Sequence, residues 1–124
     1  MKAVSSSVLR LSNTVFLGNL GERGIGAHLT EYSSFYCDSC TFGNNTATNN
    51  AAVLYLENSN YALNNSIIYE NYSVNLGSLI FQYGISQKSS IVNTHIYSNR
   101  IEDKYSIFVT YGICLLYTSD AADE

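Results

Sequence analysis

The sequence has little charge, no proline and no tryptophan, and these absences exclude several classes of protein. Charged residues make up 13% of the 124 residues, about half of their usual share in a soluble domain. Six Lys and Arg oppose ten Asp and Glu, which excludes the basic surface of a nucleic-acid-binding protein. No apolar run approaches the length of a membrane span, and no signal-peptide core follows Lys2. A hydrophobic fraction of 46% is too high for a disordered chain.

The last eleven residues differ in character from everything before them. Residues 114–124, CLLYTSDAADE, match residue for residue the translation of a transposon-end sequencing adapter. We therefore expect residues 1–113 to be native and residues 114–124 to be a non-native tail. Without the tail, six cations oppose seven acids, so the formal net charge changes from −4 to −1, and Cys114 no longer counts. We expect the native part to be a piece of a longer protein.

The chain is rich in asparagine and tyrosine, and many of these residues recur at a nearly constant interval. Four of them, which we call the anchor asparagines, have sequence numbers that differ by 26, 26 and 28: Asn19, Asn45, Asn71 and Asn99. A large apolar residue lies three positions before each anchor, and these residues are Phe16, Phe42, Ile68 and Ile96. Eight positions before the anchors lie Leu11, Cys37, Leu63 and Ile91.

A period of this length indicates a solenoid of repeated turns. Short β-branched and aromatic runs separated by Gly, Asn and Ser are typical of strands, and no stretch of ten residues has a convincing helical periodicity. Because one turn cannot bury its own apolar face, successive turns stack, and equivalent residues become neighbours about 4.8 Å apart. We therefore predict a parallel all-β solenoid of about four turns, each of about 26–28 residues. In it the Phe and Ile residues form a column and the anchor amides form a hydrogen-bonded ladder.

The repeat contains the segments Phe42-Gly-Asn-Asn45-Thr-Ala47 and Gly24-Ile-Gly26-Ala27-His28. The first is similar to the Phe-x-x-Asn-x-Ala element, and the second to a degenerate Gly-Gly-Ala-Ile element, of right-handed parallel β-helix proteins of the pectin-lyase-like kind, in particular the surface-protein versions. The resemblance implies a right-handed parallel β-helix in an extracellular or cell-surface protein. A leucine-rich repeat is the alternative, but where its consensus has Leu this chain has Thr14, Cys40, Ser66 and Thr94.

Cys37 and Cys40 form a Cys-x-x-Cys pair, for which several chemistries exist. A thioredoxin-like motif needs a βαβ context, and a zinc site needs two more ligands. Cys37 stands at a core Leu or Ile position of the repeat and Cys40 at a small-residue position. We therefore favour two buried free cysteines, with a local disulfide as the exception if the protein is extracellular.

Histidines and acids give no clear catalytic cluster. We predict His28 in a strand opposite Leu54 and His95 at an outward or turn position, both with structural roles. The pectin-cleaving relatives that the resemblance implies bind Ca²⁺ through an Asp cluster, or hydrolyse with several Asp residues. Here only Glu31 and Glu57 share an offset, twelve after their anchors, so we predict that they stack at a solvated edge. We expect no catalytic residue, no metal ligand and no cofactor.

Tyrosines are the best candidates for a binding surface. Tyr69 and Tyr97 share one offset in the repeat, and Tyr83 and Tyr111 share another. Exposed aromatic side chains stacked in this way can form a flat platform for sugar rings. The candidate surface-binding residues are therefore Tyr69, Tyr97, Tyr83, Tyr111, Glu31 and Glu57.

The sequence favours a non-catalytic extracellular or cell-surface β-helix repeat region that serves adhesion or carbohydrate contact. Its partners would be carbohydrate or another surface protein, with no nucleic acid and no membrane span. The alternative is a piece of a polysaccharide lyase or glycoside hydrolase whose active site lies mostly in other turns, or at Glu31 and Glu57. Uncapped end turns expose unpaired strand edges, so we expect the isolated chain to fray or aggregate.

Overall fold

The computed structural model describes residues 2–3, 6–74, 78–84, 89–102, 108–111 and 115–117, of which 2–3, 108–111 and 115–117 are described by their backbone alone. These residues form short strands joined by tight corners. In chain order the strands are β1 Lys2–Ala3, β2 Val8–Ser12, β3 Val15–Leu17, β4 Leu20–Arg23, β5 Ala27–Leu29, β6 Ser34–Asp38, β7 Thr41–Gly43, β8 Thr46–Asn50, β9 Leu54–Glu57, β10 Asn60–Asn64, β11 Ile67–Tyr69, β12 Tyr72–Ser73, β13 Ile80–Tyr83, β14 Ser89–Val92, β15 His95–Tyr97, β16 Arg100–Ile101, β17 Phe108–Tyr111 and β18 Leu115–Tyr117.

The strands form four parallel sheets, and each turn of the chain adds one strand to each sheet. Sheet A contains β1, β5, β9, β13 and β17, sheet B contains β2, β6, β10, β14 and β18, sheet C contains β3, β7, β11 and β15, and sheet D contains β4, β8, β12 and β16. The described residues contain no helix, so the predicted all-β parallel solenoid is confirmed. It makes about three turns rather than the predicted four, because the anchors from Asn19 to Asn99 enclose three complete repeats.

The core is a set of columns in which equivalent inward-facing residues stack on one another. Phe16 pairs with Phe42, Phe42 with Ile68, and Ile68 with Ile96 along sheet C, as predicted. The rings of Phe16 and Phe42 are parallel within 4°, with their centroids 4.8 Å apart. Phe42, Ile68 and Ile96 are fully buried, and each such burial stabilises the fold by roughly 1.5–3 kcal/mol.

The anchor asparagines form a continuous ladder of side-chain amides beside this column. The Nδ2 groups of Asn19, Asn45 and Asn71 each donate to Oδ1 of the next anchor at 3.0 Å, and Asn99 is the last acceptor of the ladder in the described residues. The backbone N–H of each of these donors reaches the same oxygen at 2.9–3.0 Å. Nδ2 of Asn45 also donates to the carbonyl oxygen of Phe16 at 3.0 Å. Polar groups that would be costly to bury are thus satisfied within the ladder.

A second polar ladder explains the small residues that lie five positions before each anchor. The Ser66 hydroxyl accepts from the Cys40 N–H at 3.1 Å, and the Thr94 hydroxyl accepts from the Ser66 N–H at 3.3 Å. Each hydroxyl also donates to the carbonyl oxygen two residues earlier, at Asn64 and Val92. At these two positions a small hydroxyl side chain therefore satisfies a backbone donor of one turn and a backbone acceptor of its own turn.

Left-handed backbone conformation marks the corners of the solenoid. Between sheets B and C the left-handed residues have φ of 48–58° and are Asn13, Ser39, Asn65 and Asn93. Between sheets C and D they have φ of 52–68° and are Gly18, Asn44, Glu70 and Ser98. Only Gly and, to a lesser degree, Asn or Asp adopt this conformation readily. The abundance of asparagine therefore has two causes, the anchor ladder and the corners.

The first turn departs from the regular register along sheets D and A. Leu20 pairs with Thr46, but Arg23 pairs with Asn50, so β8 carries one residue more than β4. Such a bulge re-aims the side chains that follow it. After the bulge, each residue of the first turn pairs with a residue one position further along the second turn than the repeat predicts, as Ala27 does with Leu54. The anchors Asn19 and Asn45 nevertheless keep their regular spacing.

This shift overturns the predicted position of His28. It pairs with Tyr55 and not with Leu54. The regular spacing returns at the next corner, where two consecutive residues, Glu31 and Tyr32, have φ of 54° and 65°. The second turn has one extra residue in β8, and the first turn has one extra residue in the corner after β5. The two insertions cancel, so the period of the sequence does not reveal the shift.

The predicted tail lies largely outside the described residues. The backbone of β18, Leu115–Tyr117, lies beside β14 at the edge of sheet B. The foreign origin of residues 114–124 stays a prediction. Among the residues that the structure describes, no helix of the length and apolarity needed to cross a membrane is found.

Candidate functional site

The outward face of sheet A carries two columns of aromatic and polar side chains. One column contains His28, Tyr55 and Phe81, which are in register on β5, β9 and β13. The adjacent column contains Glu57 and Tyr83, which are also paired. All five side chains are partly buried, because neighbours in the columns cover them, while the alternate residues of each strand point into the core. The bulge in β8 is what brings His28 into the aromatic column.

The aromatic side chains of sheet A pack closely along the solenoid axis. The rings of Tyr55 and Phe81 stack with centroids 5.4 Å apart, and the His28 ring meets Tyr55 edge-on at 4.9 Å. Tyr83 meets Tyr55 and Phe81 edge-on at 6.0 and 5.8 Å. The Arg23 guanidinium lies over the Tyr55 ring at 5.3 Å, a distance typical of a cation–π contact. The result is a rigid aromatic wall with a cation at one end.

Polar groups line a depression of about 420 Å³ beside this wall. Its lining contains the sequence-predicted residues Glu31, Glu57 and Tyr83. Glu31 and Glu57 do not stack as predicted, because Leu29 pairs with Leu56 and the turn that follows places Glu31 at a left-handed corner. Both nevertheless reach the same depression.

Tyr83 is the residue of the depression whose ionisation is most strongly altered. Burial raises the pKa of its hydroxyl far above the ordinary value, and hydrogen bonds to Tyr55 and Glu57, with the negative charge of Glu57, raise it further. The Tyr83 hydroxyl therefore stays protonated throughout the physiological pH range. In that form it acts as a donor and acceptor of hydrogen bonds.

The four predicted tyrosines do not form one surface. Tyr83 pairs with Tyr111 on sheet A, but the Tyr111 side chain lies outside the described residues. Tyr69 and Tyr97 lie on sheet C, where their rings stack with centroids 5.7 Å apart. The Tyr69 ring covers Gly43, where a Cβ atom would come within 2.5 Å of it. Tyr69 is partly buried in this stack, whereas Tyr97 is 44% exposed.

The two cysteines are joined by a disulfide, with an S–S distance of 2.07 Å. The preference for free cysteines was therefore wrong, although Cys37 and Cys40 are both buried at the repeat positions that we predicted. Strands β6 and β7 meet at the Asp38-Ser39 corner, which brings the sulfur atoms together. His95 lies exposed on β15, at the predicted outward position.

Sequence reasoning missed four residues that line the depression, namely Arg23, His28, Thr30 and Tyr55, and it also missed the Phe81 ring in the wall beside it. Tyr55 and Phe81 alternate with buried residues in β9 and β13, so the period-two pattern of these strands was a usable signal. Arg23 had no such signal, since it reaches Tyr55 only because of the bulge. In the part of the chain that the structure describes, no group of three or more His, Cys, Asp or Glu residues is placed to hold a metal ion.

Comparison of the chain with family models, with curated proteins and with solved structures found no match.

Proposed function

We propose that this chain is part of a non-catalytic extracellular or cell-surface β-helix, of the pectin-lyase-like surface type, that contacts carbohydrate. The contact is made by the depression on the outward face of sheet A. The observation that carries the proposal is the combination of an aromatic wall with hydroxyl, carboxylate and guanidinium groups around 420 Å³ of space. This volume lies within the range of about 300–1,000 Å³ that is usual for small-ligand sites.

The side chains around the depression suit a ligand rich in hydroxyl groups. The Glu57 carboxylate and the Tyr83 hydroxyl offer acceptors, and Arg23 offers a planar set of donors. The Tyr55 ring, which lines the same depression, provides apolar contact for the C–H groups of a sugar ring. Several neighbouring donors and acceptors on a rigid wall can bind vicinal hydroxyls without any change of backbone.

The disulfide supports an extracellular location. Disulfides persist in oxidising compartments and are rare in the cytosol. Cys37 and Cys40 are both buried, so the bond is part of the corner between sheets B and C and not an exposed pair.

The chemistry of Tyr83 supports a binding role over a catalytic one. A general base must lose its proton near the working pH, whereas the raised pKa of Tyr83 keeps the hydroxyl protonated. Glu57 is already engaged with that hydroxyl. Both groups therefore suit hydrogen bonding to a sugar.

Affinity electrophoresis tests this proposal. The full chain is run through gels containing pectin, galactan, xylan or mixed β-glucan, beside variants Tyr55→Ala and Glu57→Gln and the matched control Tyr97→Ala on sheet C. We expect one polysaccharide to retard the wild-type chain and the control, and to retard both sheet A variants much less. Equal migration of all four proteins in every gel would contradict the proposal.

The enzyme alternative depends on one observation, that Glu31 and Glu57 line the same depression. It is tested by incubating the chain with pectin and Ca²⁺ and measuring new unsaturated or reducing ends. Turnover that Glu57→Gln abolishes would favour the polysaccharide lyase or hydrolase and would end the non-catalytic proposal.

A further inference from the structure

Sheet B has a second depression, separate from the one on sheet A and somewhat larger, at about 570 Å³. It lies on the outward face, where β2, β6, β10 and β14 run side by side. The residues that matter for its chemistry are Arg10, Tyr36, Asp38 and Asn64.

Tyr36 differs from the other aromatic residues of sheets A and C in what lies above and below its ring. The register along sheet B places Arg10 before it, and Ala62 and then Ser90 after it. The Arg10 guanidinium covers one ring face, with its carbon 4.6 Å from the ring centroid. Because that distance is close to the spacing of neighbouring strands, the ring stands across the sheet and its other face is directed at Ala62.

Only a methyl group occupies the position next to that second face. On sheet A the corresponding positions around Tyr55 hold the ring of Phe81 and the imidazole of His28. On sheet C the ring of Tyr97 covers Tyr69. Tyr36 therefore presents a ring face that no aromatic residue in its register covers, whereas Tyr55 and Tyr69 each have another ring stacked on them.

Polar groups adjoin this face and are free to bind a ligand. The Asn64 side chain lies two residues along β10 from Ala62, at the next outward position, and it lines the depression. Asp38 accepts a hydrogen bond from Asn65 Nδ2 through Oδ1 at 2.9 Å, which leaves Oδ2 for another donor. One cation, Arg10, and one anion, Asp38, balance each other, so the depression favours no charged ligand over a neutral one.

We propose that this depression binds one neutral hexopyranose unit of a glycan, with the apolar C–H face of the sugar on the open face of Tyr36. The amide of Asn64 and the carboxylate of Asp38 then hydrogen-bond to adjacent hydroxyls. The ligand class rests on the proposed function, whereas the site itself is independent of sheet A. Arg10 holds the tyrosine ring in its orientation from the opposite side.

The test is a titration of the full chain with methyl β-galactopyranoside, monitored by NMR. The C3–C5 hydrogens of this sugar form a continuous apolar face. We expect the Tyr36 ring and Ala62 methyl signals to shift, with a Kd of roughly 1–10 mM, as suits a single sugar ring. Ala62→Leu covers the open face without removing a polar group, and it should weaken binding about tenfold or more. Ala62→Gly should bind within about twofold of the wild-type chain.

Controls separate this site from the one on sheet A and from misfolding. Thr41→Leu places the same leucine side chain on the outward face of sheet C, away from both depressions, and should leave the Kd unchanged. If Ala62→Leu does not fold, Tyr36→Ala and Asn64→Leu replace it. Absence of shifts at Tyr36, or an unchanged Kd in Ala62→Leu, would overturn the inference. Loss of binding in Tyr83→Ala alone would overturn it too, and would assign the sugar to the proposed site on sheet A.

Discussion

Replacement of Asn45 by alanine removes the central rung of the anchor ladder. The Asn45 side chain is fully buried. Its Nδ2 donates to Phe16 O and to Asn71 Oδ1, and its Oδ1 accepts from both the N–H and the Nδ2 of Asn19, all at 3.0 Å. Asn45→Ala therefore deletes four hydrogen bonds at once and leaves their partners behind.

The expected cost follows from what each partner can recover. A hydrogen bond contributes about 1 kcal/mol net, and a buried group left unsatisfied costs more. Asn71 Oδ1 keeps the backbone N–H of residue 45, and Asn19 is exposed and can bind water. The carbonyl oxygen of Phe16 recovers least. We expect Asn45→Ala to lower the free energy of unfolding by about 3 kcal/mol.

The matched control is Asn19→Ala at the end of the same ladder. The Asn19 side chain donates a single hydrogen bond, to Asn45, so its loss should cost about 1 kcal/mol or less. Urea unfolding followed by far-ultraviolet circular dichroism measures both variants. With a slope of about 1–3 kcal/mol per M, the midpoint for Asn45→Ala should fall by roughly 1–3 M. If the two variants lost the same stability, the interior rung would contribute no more than the exposed one, and the reasoning would be refuted.

Three further predictions concern single positions and use the same unfolding assay. Gly43→Ala should lower the free energy of unfolding by about 1–3 kcal/mol, because its Cβ would lie 2.5 Å from the Tyr69 ring. In the double variant Gly43→Ala with Tyr69→Ala, most of the loss caused by Gly43→Ala should be recovered. If the losses of the two single variants simply added, the result would argue against the contact. Glu70→Asn should stabilise by up to about 1 kcal/mol, because φ at this exposed corner is 52°, while Glu22→Asn within β4 should give no gain. Folding raises the pKa of Tyr83, so the folded chain holds this proton more tightly than the unfolded chain does. The free energy of unfolding should therefore fall as the pH rises above about 10. Tyr83→Phe should show a shallower fall, and parallel plots of stability against pH for the two proteins would contradict the argument.

Much of the fold was predictable because a solenoid repeats the same local problem in every turn. The spacing of the anchors and the large apolar residues before them correctly predicted the stacked column Phe16, Phe42, Ile68 and Ile96. Stacking makes each position visible several times over, so weak single-residue signals add up. The corners were not predicted, because left-handed conformation is adopted here by Ser39 and Glu70 as well as by asparagine.

The candidate site was less predictable, because it depends on a local register that the overall period conceals. The regular offset of the repeat places His28 opposite Leu54, whereas the bulge in β8 places it opposite Tyr55. Tyr69 and Tyr97 were correctly predicted to share a column. The spacing could not indicate that their rings cover each other, since that depends on the orientation of the side chains.

The anchor ladder also gives the solenoid a direction. Every amide donates toward the following turn and accepts from the preceding one, so the two ends of the ladder differ chemically. At the Asn19 end the ladder offers the side-chain oxygen Oδ1 as an acceptor, so a turn that stacks there must supply an amide donor. An aspartate can accept but cannot donate. Because Nδ2 of the last described anchor, Asn99, still donates to the carbonyl oxygen of Ile68, an aspartate would lose a hydrogen bond even there, so the ladder favours asparagine at each of its described rungs.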